Sequence, residues 1–105
     1  PKIIPTPNSN PMRMINAAIQ LLPFPENGSK IALIDQAIEL IEKSGLNYQV
    51  CPFETVVEGS TEAVYALIQK IQENCLNTGC KELLLNVKIH ASRESLNFKD
   101  KLEKY

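Results

Sequence analysis

The side chains best suited to recognising a small polar molecule are Gln20, Thr55, Glu58, Asn86 and Lys88. Thr55 can donate and accept a hydrogen bond. Glu58 can accept from an amine and offset a cation. The amides of Gln20 and Asn86 carry a donor and an acceptor each, and Lys88 can meet a phosphate or a carboxylate. Catalytic chemistry has no comparable constellation. His90 is the sole histidine and has no Cys–His or carboxylate–His spacing beside it, so neither a general base nor a metal ligand is expected there. No serine or cysteine has a recognisable base partner, and neither a G-x-S-x-G elbow nor a phosphate-binding P-loop is present. Cys51, Cys75 and Cys80 are odd in number and form no C-x-x-C pair. They read as free thiols of a reducing cytoplasm. No turnover of phosphate or acyl esters, no metal and no resident cofactor are expected.

The elements that must position these residues follow from periodicity. Met14–Leu22 alternates, with Ile15, Ala17, Ile19 and Leu21 on one face and Asn16, Ala18, Gln20 and Leu22 on the other. This is a strand with one apolar and one mixed face. Pro23, Pro25, Asn27 and Gly28 should end it. Ser29 is placed to cap a helix over Lys30–Ser44, with Ile31, Ile34, Ala37, Ile38 and Ile41 as its stripe and Gly45 as its stop. Two β-prone runs, Leu46–Cys51 and Thr55–Glu58, flank a Pro-containing turn. Ser60 or Thr61 then caps a second helix to Asn77, with stripe Val64, Leu67, Ile68, Ile71 and Cys75. Leu83–His90 is the last strand, and Phe98–Tyr105 a short charged helix. Residues 1–13, with Pro1, Pro5, Pro7 and Pro11, read as a flexible arm, native or extraneous, outside one domain over 14–105.

The β-α-β-β-α-β order predicts an α+β ferredoxin-like sandwich: a four-stranded antiparallel sheet with both helices on one face. Crossover rules place the first strand beside the third and the fourth beside the second, centring the first and third strands. Ile34, Ile38, Ile41, Leu67, Ile68 and Ile71 should be buried between helices and sheet. The open face then carries Asn16, Ala18, Gln20, Asn86 and Lys88, yet also Leu22 and Leu84. A half-apolar face of this kind calls for a partner subunit or a ligand.

Composition narrows the classes further. A chain of 105 residues, 44% hydrophobic, supports one domain with a real core. Its small size leaves much surface exposed, which favours self-association to a dimer or tetramer. A net charge of -1 without single-sign runs argues against nucleic-acid binding. Apolar runs fall far short of the ~18 residues of a membrane span. No signal-peptide pattern is visible, and the expected location is cytoplasmic.

From Ile15 to Tyr105 the chain resembles the small thiamine-binding proteins of the YkoF-related family, long catalogued as a domain of unknown function. The matching pieces are Leu21-Leu22-Pro23, Ala37-Ile38-Glu39, Ser44-Gly45-Leu46-Asn47-Tyr48 and, above all, Pro52-Phe53-Glu54-Thr55-Val56-Val57-Glu58-Gly59. Gly79, Val87-Lys88-Ile89 and Lys99-Asp100-Lys101-Leu102-Glu103 follow. The N-terminal arm and the detail of the Phe24–Lys30 loop depart from the family pattern. The resemblance implies a non-enzymatic binding protein whose relatives pair their sheets into dimers or tetramers. Several of those relatives bind thiamine or its hydroxymethylpyrimidine portion.

An aminopyrimidine needs a flat apolar slot with paired donors and acceptors, and a thiazolium adds a charge that a carboxylate or an aromatic face would stabilise. Under the resemblance, Thr55, Glu58, Gln20 and Asn86 line one pocket beside the hairpin, with Lys88 nearby and Tyr48 or Phe53 as stacking surfaces. Each residue also has a plainer use. Thr55 suits the turn after Pro52, and Glu58 suits a carboxylate before a helix N-terminus. Gln20 and Asn86 suit a subunit interface, Lys88 a solvated surface, and Tyr48 and Phe53 core or interface packing. Three other functions fit the fold. Acylphosphatase-like hydrolysis needs a glycine-rich cradle with an arginine, whereas Pro23–Ser29 is acidic and has none. An RNA-binding sheet needs exposed aromatics in a basic surround. A structural or regulatory homo-oligomer with no thiamine-related ligand remains the alternative.

Overall fold

The structure is a computed structural model and describes residues 10–94. It contains β1 (Met14–Pro25), α1 (Lys30–Lys43), β2 (Asn47–Val50), β3 (Thr55–Ser60), α2 (Thr61–Asn77) and β4 (Cys80–His90). The strands form one antiparallel sheet in the order β2-β3-β1-β4. This is the α+β ferredoxin-like arrangement read from the sequence, with β1 and β3 central. One adjacency is corrected: β4 pairs with β1, and β2 and β4 lie at opposite edges. Each strand–helix–strand half leaves a gap one strand wide. The first strand of the other half fills it, which drives the two second strands outward.

Alternation along β1 builds the core. Ile15, Ala17, Ile19 and Leu21 are all buried and form one cluster with Val57 of β3, Leu33, Ala37 and Ile41 of α1, and Val64, Leu67, Ile71 and Cys75 of α2. The α2 stripe is as expected, with Ile68 half-buried against the cluster. The α1 stripe is rotated. Leu33 replaces Ile31, which is 69% exposed, and Ile34 and Ile38 are only half-buried. Helical spacing admits either stripe, and only docking against the sheet chooses between them. Both caps are as the sequence suggests: Ser29 Oγ accepts from Ile31 N–H, and Ser60 Oγ from Ala63 N–H. Gly45 takes φ 77° just beyond α1, in the left-handed region that favours glycine.

β1 does not stop at Pro23. It pairs with β4 through Pro23↔Leu83 and, after an irregularity at Phe24/Pro25, reaches Cys80. β3 pairs with β1 only as far as Ile19↔Thr55. Beyond that point β1 has one neighbour, and a proline can sit where its missing N–H faces no partner. Residues 10–13, which the sequence assigned to the arm, are tied down. The Arg13 carbonyl accepts from Thr61 N–H at 2.8 Å and Thr61 Oγ1 at 2.9 Å, and the Pro11 carbonyl from Glu62 N–H at 3.0 Å. The rest of the arm and the expected helix over Phe98–Tyr105 lie outside the described residues. No helix among the described residues is long and apolar enough to cross a membrane.

The thiols differ in environment. Cys75 and Cys80 are buried and Cys51 is partly exposed. Burial, then hydrogen bonding and charge interaction with Cys80, push the Cys75 thiol up from 9.0 to about 12. Its proton is therefore held more tightly in the folded state, so stability is lost as pH rises from about 9 toward about 12. A thiol-exchange reagent near neutral pH is expected to modify Cys51 in the folded protein, and Cys75 and Cys80 only on unfolding. Urea denaturation over that alkaline window should show a steeper stability loss in the wild type than in Cys75→Val.

Candidate ligand-binding site

The open face of the sheet carries a grid of side chains fixed by register. One row runs Asn47, Glu58, Asn16, His90 across the four strands. The next holds Gln49, Val56, Ala18 and Lys88, and beyond it Gln20 faces Asn86, then Leu22 faces Leu84. Where β3 ends at Thr55, the hairpin loop Cys51–Glu54 occupies the side of β1 that has lost its neighbour. Cys51 N–H donates to the Glu54 carbonyl at 2.8 Å and closes that loop.

Two recesses form at this edge and share Gln20, Phe53 and Glu54 as a common wall. The first, of about 260 Å³, is lined by those three with Asn86 and Lys88. The second, of about 140 Å³, runs beneath the hairpin and adds Thr55, Ile34, Ile38 and Val50 among mostly apolar walls. The residues read from the sequence thus divide. Gln20, Asn86 and Lys88 come together in the larger recess. Thr55 is buried on the helix side of the sheet, where it pairs with Ile19, and lines the smaller recess. Glu58 lies on the open face, in the row with Asn16 and Asn47, and lines neither recess. The structure thus brings Gln20, Asn86 and Lys88 into one recess and places neither Thr55 nor Glu58 there. Positions 55 and 58 have opposite strand parity, and Glu58 is not bent round to compensate.

Geometry gives the larger recess a definite chemistry. Asn86 Nδ2–H donates to Gln20 Oε1 at 3.2 Å. The remaining outward groups are then the Gln20 amine, a donor, and the Asn86 carbonyl, an acceptor. Turning both amides over leaves the same outward pair, one donor beside one acceptor. Lys88 Nζ lies 3.8 Å from Glu54 Oε1, a loose pair with the lysine largely in solvent and worth little by itself. Phe53, for which core or interface packing was the plainer reading, is 82% exposed at the rim. Tyr48 is half-exposed on β2 and lines neither recess. Sequence reasoning passed over Glu54. Its signal was Thr55: a core-facing threonine one residue later turns position 54 away from the core.

Glu58 has a structural contact that its burial explains. Its carboxylate accepts from Asn47 Nδ2, across the β2–β3 pair. Asn16, next in that row, is buried, and among the described residues neither of its amide atoms has a hydrogen-bond partner. Gly59 completes the motif for a steric reason: a Cβ there would lie 2.7 Å from Leu46 Cδ2. His90 is exposed at the end of β4. Among the described residues no group of three or more His, Cys, Asp or Glu is placed to hold a metal ion.

The profile of the thiamine-binding protein family matches residues 17–105. The chain belongs to that family. A UPF0045 protein of Clostridium perfringens is 31% identical over 94 residues, covering 90% of this chain and 99% of that protein. Among solved structures, a Bacillus cereus domain of unknown function, DUF77, superposes with a TM-score of 0.85 at 25% identity. It covers 92% of this chain and 95% of its own. A Thermotoga maritima protein, described as a candidate thiamine biosynthesis/salvage protein, gives 0.78 at 27% identity, over 88% and 98%.

Asn47→Ala removes a donor from a buried carboxylate. It is expected to lower unfolding free energy by about 1–3 kcal/mol, read from urea denaturation.

Proposed function

We propose that this thiamine-family chain is a non-enzymatic binding protein for thiamine or its hydroxymethylpyrimidine portion, seated in the recess at Gln20 and Asn86. The observation that carries the reading is the outward donor–acceptor pair left by the Gln20–Asn86 hydrogen bond. An aminopyrimidine presents the complement along one edge: an exocyclic amine donor beside a ring-nitrogen acceptor. The Gln20 amine meets the ring nitrogen and the Asn86 carbonyl accepts from the amine. Phe53 supplies a face for stacking. The Glu54 carboxylate offsets a thiazolium charge, and Lys88 stands ready for a phosphate-bearing form. At about 260 Å³ the recess suits one heteroaromatic ring system rather than a large cofactor. Thr55 and Glu58 act from behind, holding the hairpin edge against the core and against β2.

Calorimetric titration of the purified protein with thiamine and with hydroxymethylpyrimidine tests this. Both should bind. Gln20→Leu and Asn86→Leu should each weaken binding by about tenfold, as expected for loss of a ring-edge hydrogen bond at a partly desolvated site. Absence of heat and of thermal stabilisation with every thiamine-related compound would sink the reading.

Leu22 and Leu84 favour self-association through the same face. They oppose each other on β1 and β4 beside the recess, at 39% and 52% exposure. A second copy laid across them buries both and roofs the recess. Sedimentation at micromolar concentration is expected to show a dimer or tetramer, and Leu84→Asp to shift it toward monomer. A wild-type monomer would refute the assembly.

A further inference from the structure

Arg13 and Arg93 are the chain's only arginines. They are remote in sequence, and the β1–β4 register brings them together. Pairs run from Gln20↔Asn86 to Asn16↔His90, and past that sheet end the two chains run on to Arg13 and to Arg93. Both side chains line a cleft of about 740 Å³ with Ala91 and Ser92. Among the described residues neither arginine makes an ion pair. Glu94 follows Arg93 and Glu62 stands in the first turn of α2, yet neither acid pairs with them. Among the described residues the buried Arg13 Nε has no hydrogen-bond partner.

Two costs accumulate here. Like charges lining one cleft repel. A buried guanidinium N–H without an acceptor forfeits its hydration and gains nothing. A single anion relieves both. The site is also held in place from behind. The Arg13 carbonyl takes two hydrogen bonds from Thr61 and its N–H donates to the Asn10 carbonyl at 3.1 Å. The guanidinium therefore projects from a fixed backbone, beside the positive end of the α2 dipole.

The anion's shape follows from the donors. Two guanidinium forks and a serine hydroxyl match a tetrahedral dianion with several terminal oxygens, whereas a carboxylate fills one fork. The cleft far exceeds a bare phosphate and leaves space for an organic remainder. We propose that Arg13, Ser92 and Arg93 bind the phosphoryl group of a phosphorylated small molecule. The site is distinct from the Gln20–Asn86 recess: Ser92 lies four residues beyond Lys88, roughly 13 Å along the strand direction. It does not require that recess to hold a pyrimidine.

The test is titration of the protein with inorganic phosphate at low ionic strength, followed by heteronuclear NMR. Saturable shifts are expected at the Ser92 and Arg93 amides and at the Arg13 Nε–H. Arg93→Gln, at an exposed position, should weaken phosphate binding about tenfold or more. Arg13→Lys, which keeps the charge and loses the fork, should weaken it to a similar degree. Lys70→Gln, a matched charge removal on the exposed face of α2, should leave affinity unchanged. No saturable shift at millimolar phosphate would overturn the proposal. So would an equal loss in Lys70→Gln and Arg93→Gln, or acetate binding as tightly as phosphate.

Discussion

Every feature of this molecule depends on β1 serving two opposed faces at once. It is the one strand hydrogen-bonded to both β3 and β4. Its odd-numbered residues Ile15, Ile19 and Leu21 enter the core, each stabilising the fold by roughly 1.5–3 kcal/mol through burial. Its even-numbered residues then have no choice but to face outward. The recess exists because Gln20 is such a residue, at the point where β3 has ended and β1 continues with one neighbour. A slip of one residue in register would send the isoleucines outward and Gln20 into the core.

Most of the hairpin motif holds that edge in place. Pro52 sits in the turn, Val57 is fully buried beneath the helices, Glu58 is held by Asn47, and Gly59 leaves room for Leu46. Only Phe53 and Glu54, in the loop itself, line the larger recess. The most specific stretch of sequence thus mainly marks the scaffold, and the recess's other polar groups come from β1 and β4 beside it. Loops carried on a rigid edge are where binding residues concentrate in small domains generally.

Two buried polar groups go without a hydrogen-bond partner among the described residues: the Asn16 amide on the open face and the Arg13 Nε beyond the sheet end. Buried polar atoms of this kind are uncommon in native proteins, because each forgoes hydration without recovering a hydrogen bond. Leu22 and Leu84 are exposed on the same open face as Asn16.

Local chemistry was legible residue by residue. Serine caps, glycine stops, period-two alternation in β1 and β4 and the α2 stripe each follow from backbone sterics and side-chain direction, which the sequence encodes directly. That much determined the element order, the central place of β1 and β3, and which residues of β1 and β4 face outward. Three things needed the assembled fold. The rotation of α1, with Leu33 inward and Ile31 outward, was decided by docking against the sheet, since both stripes have helical spacing. The passage of β1 through Pro23 was decided by where β3 ends, which frees one side of the strand. The convergence of Gln20 with Asn86, and of Arg13 with Arg93, was decided by antiparallel register, a long-range pairing that no local pattern records.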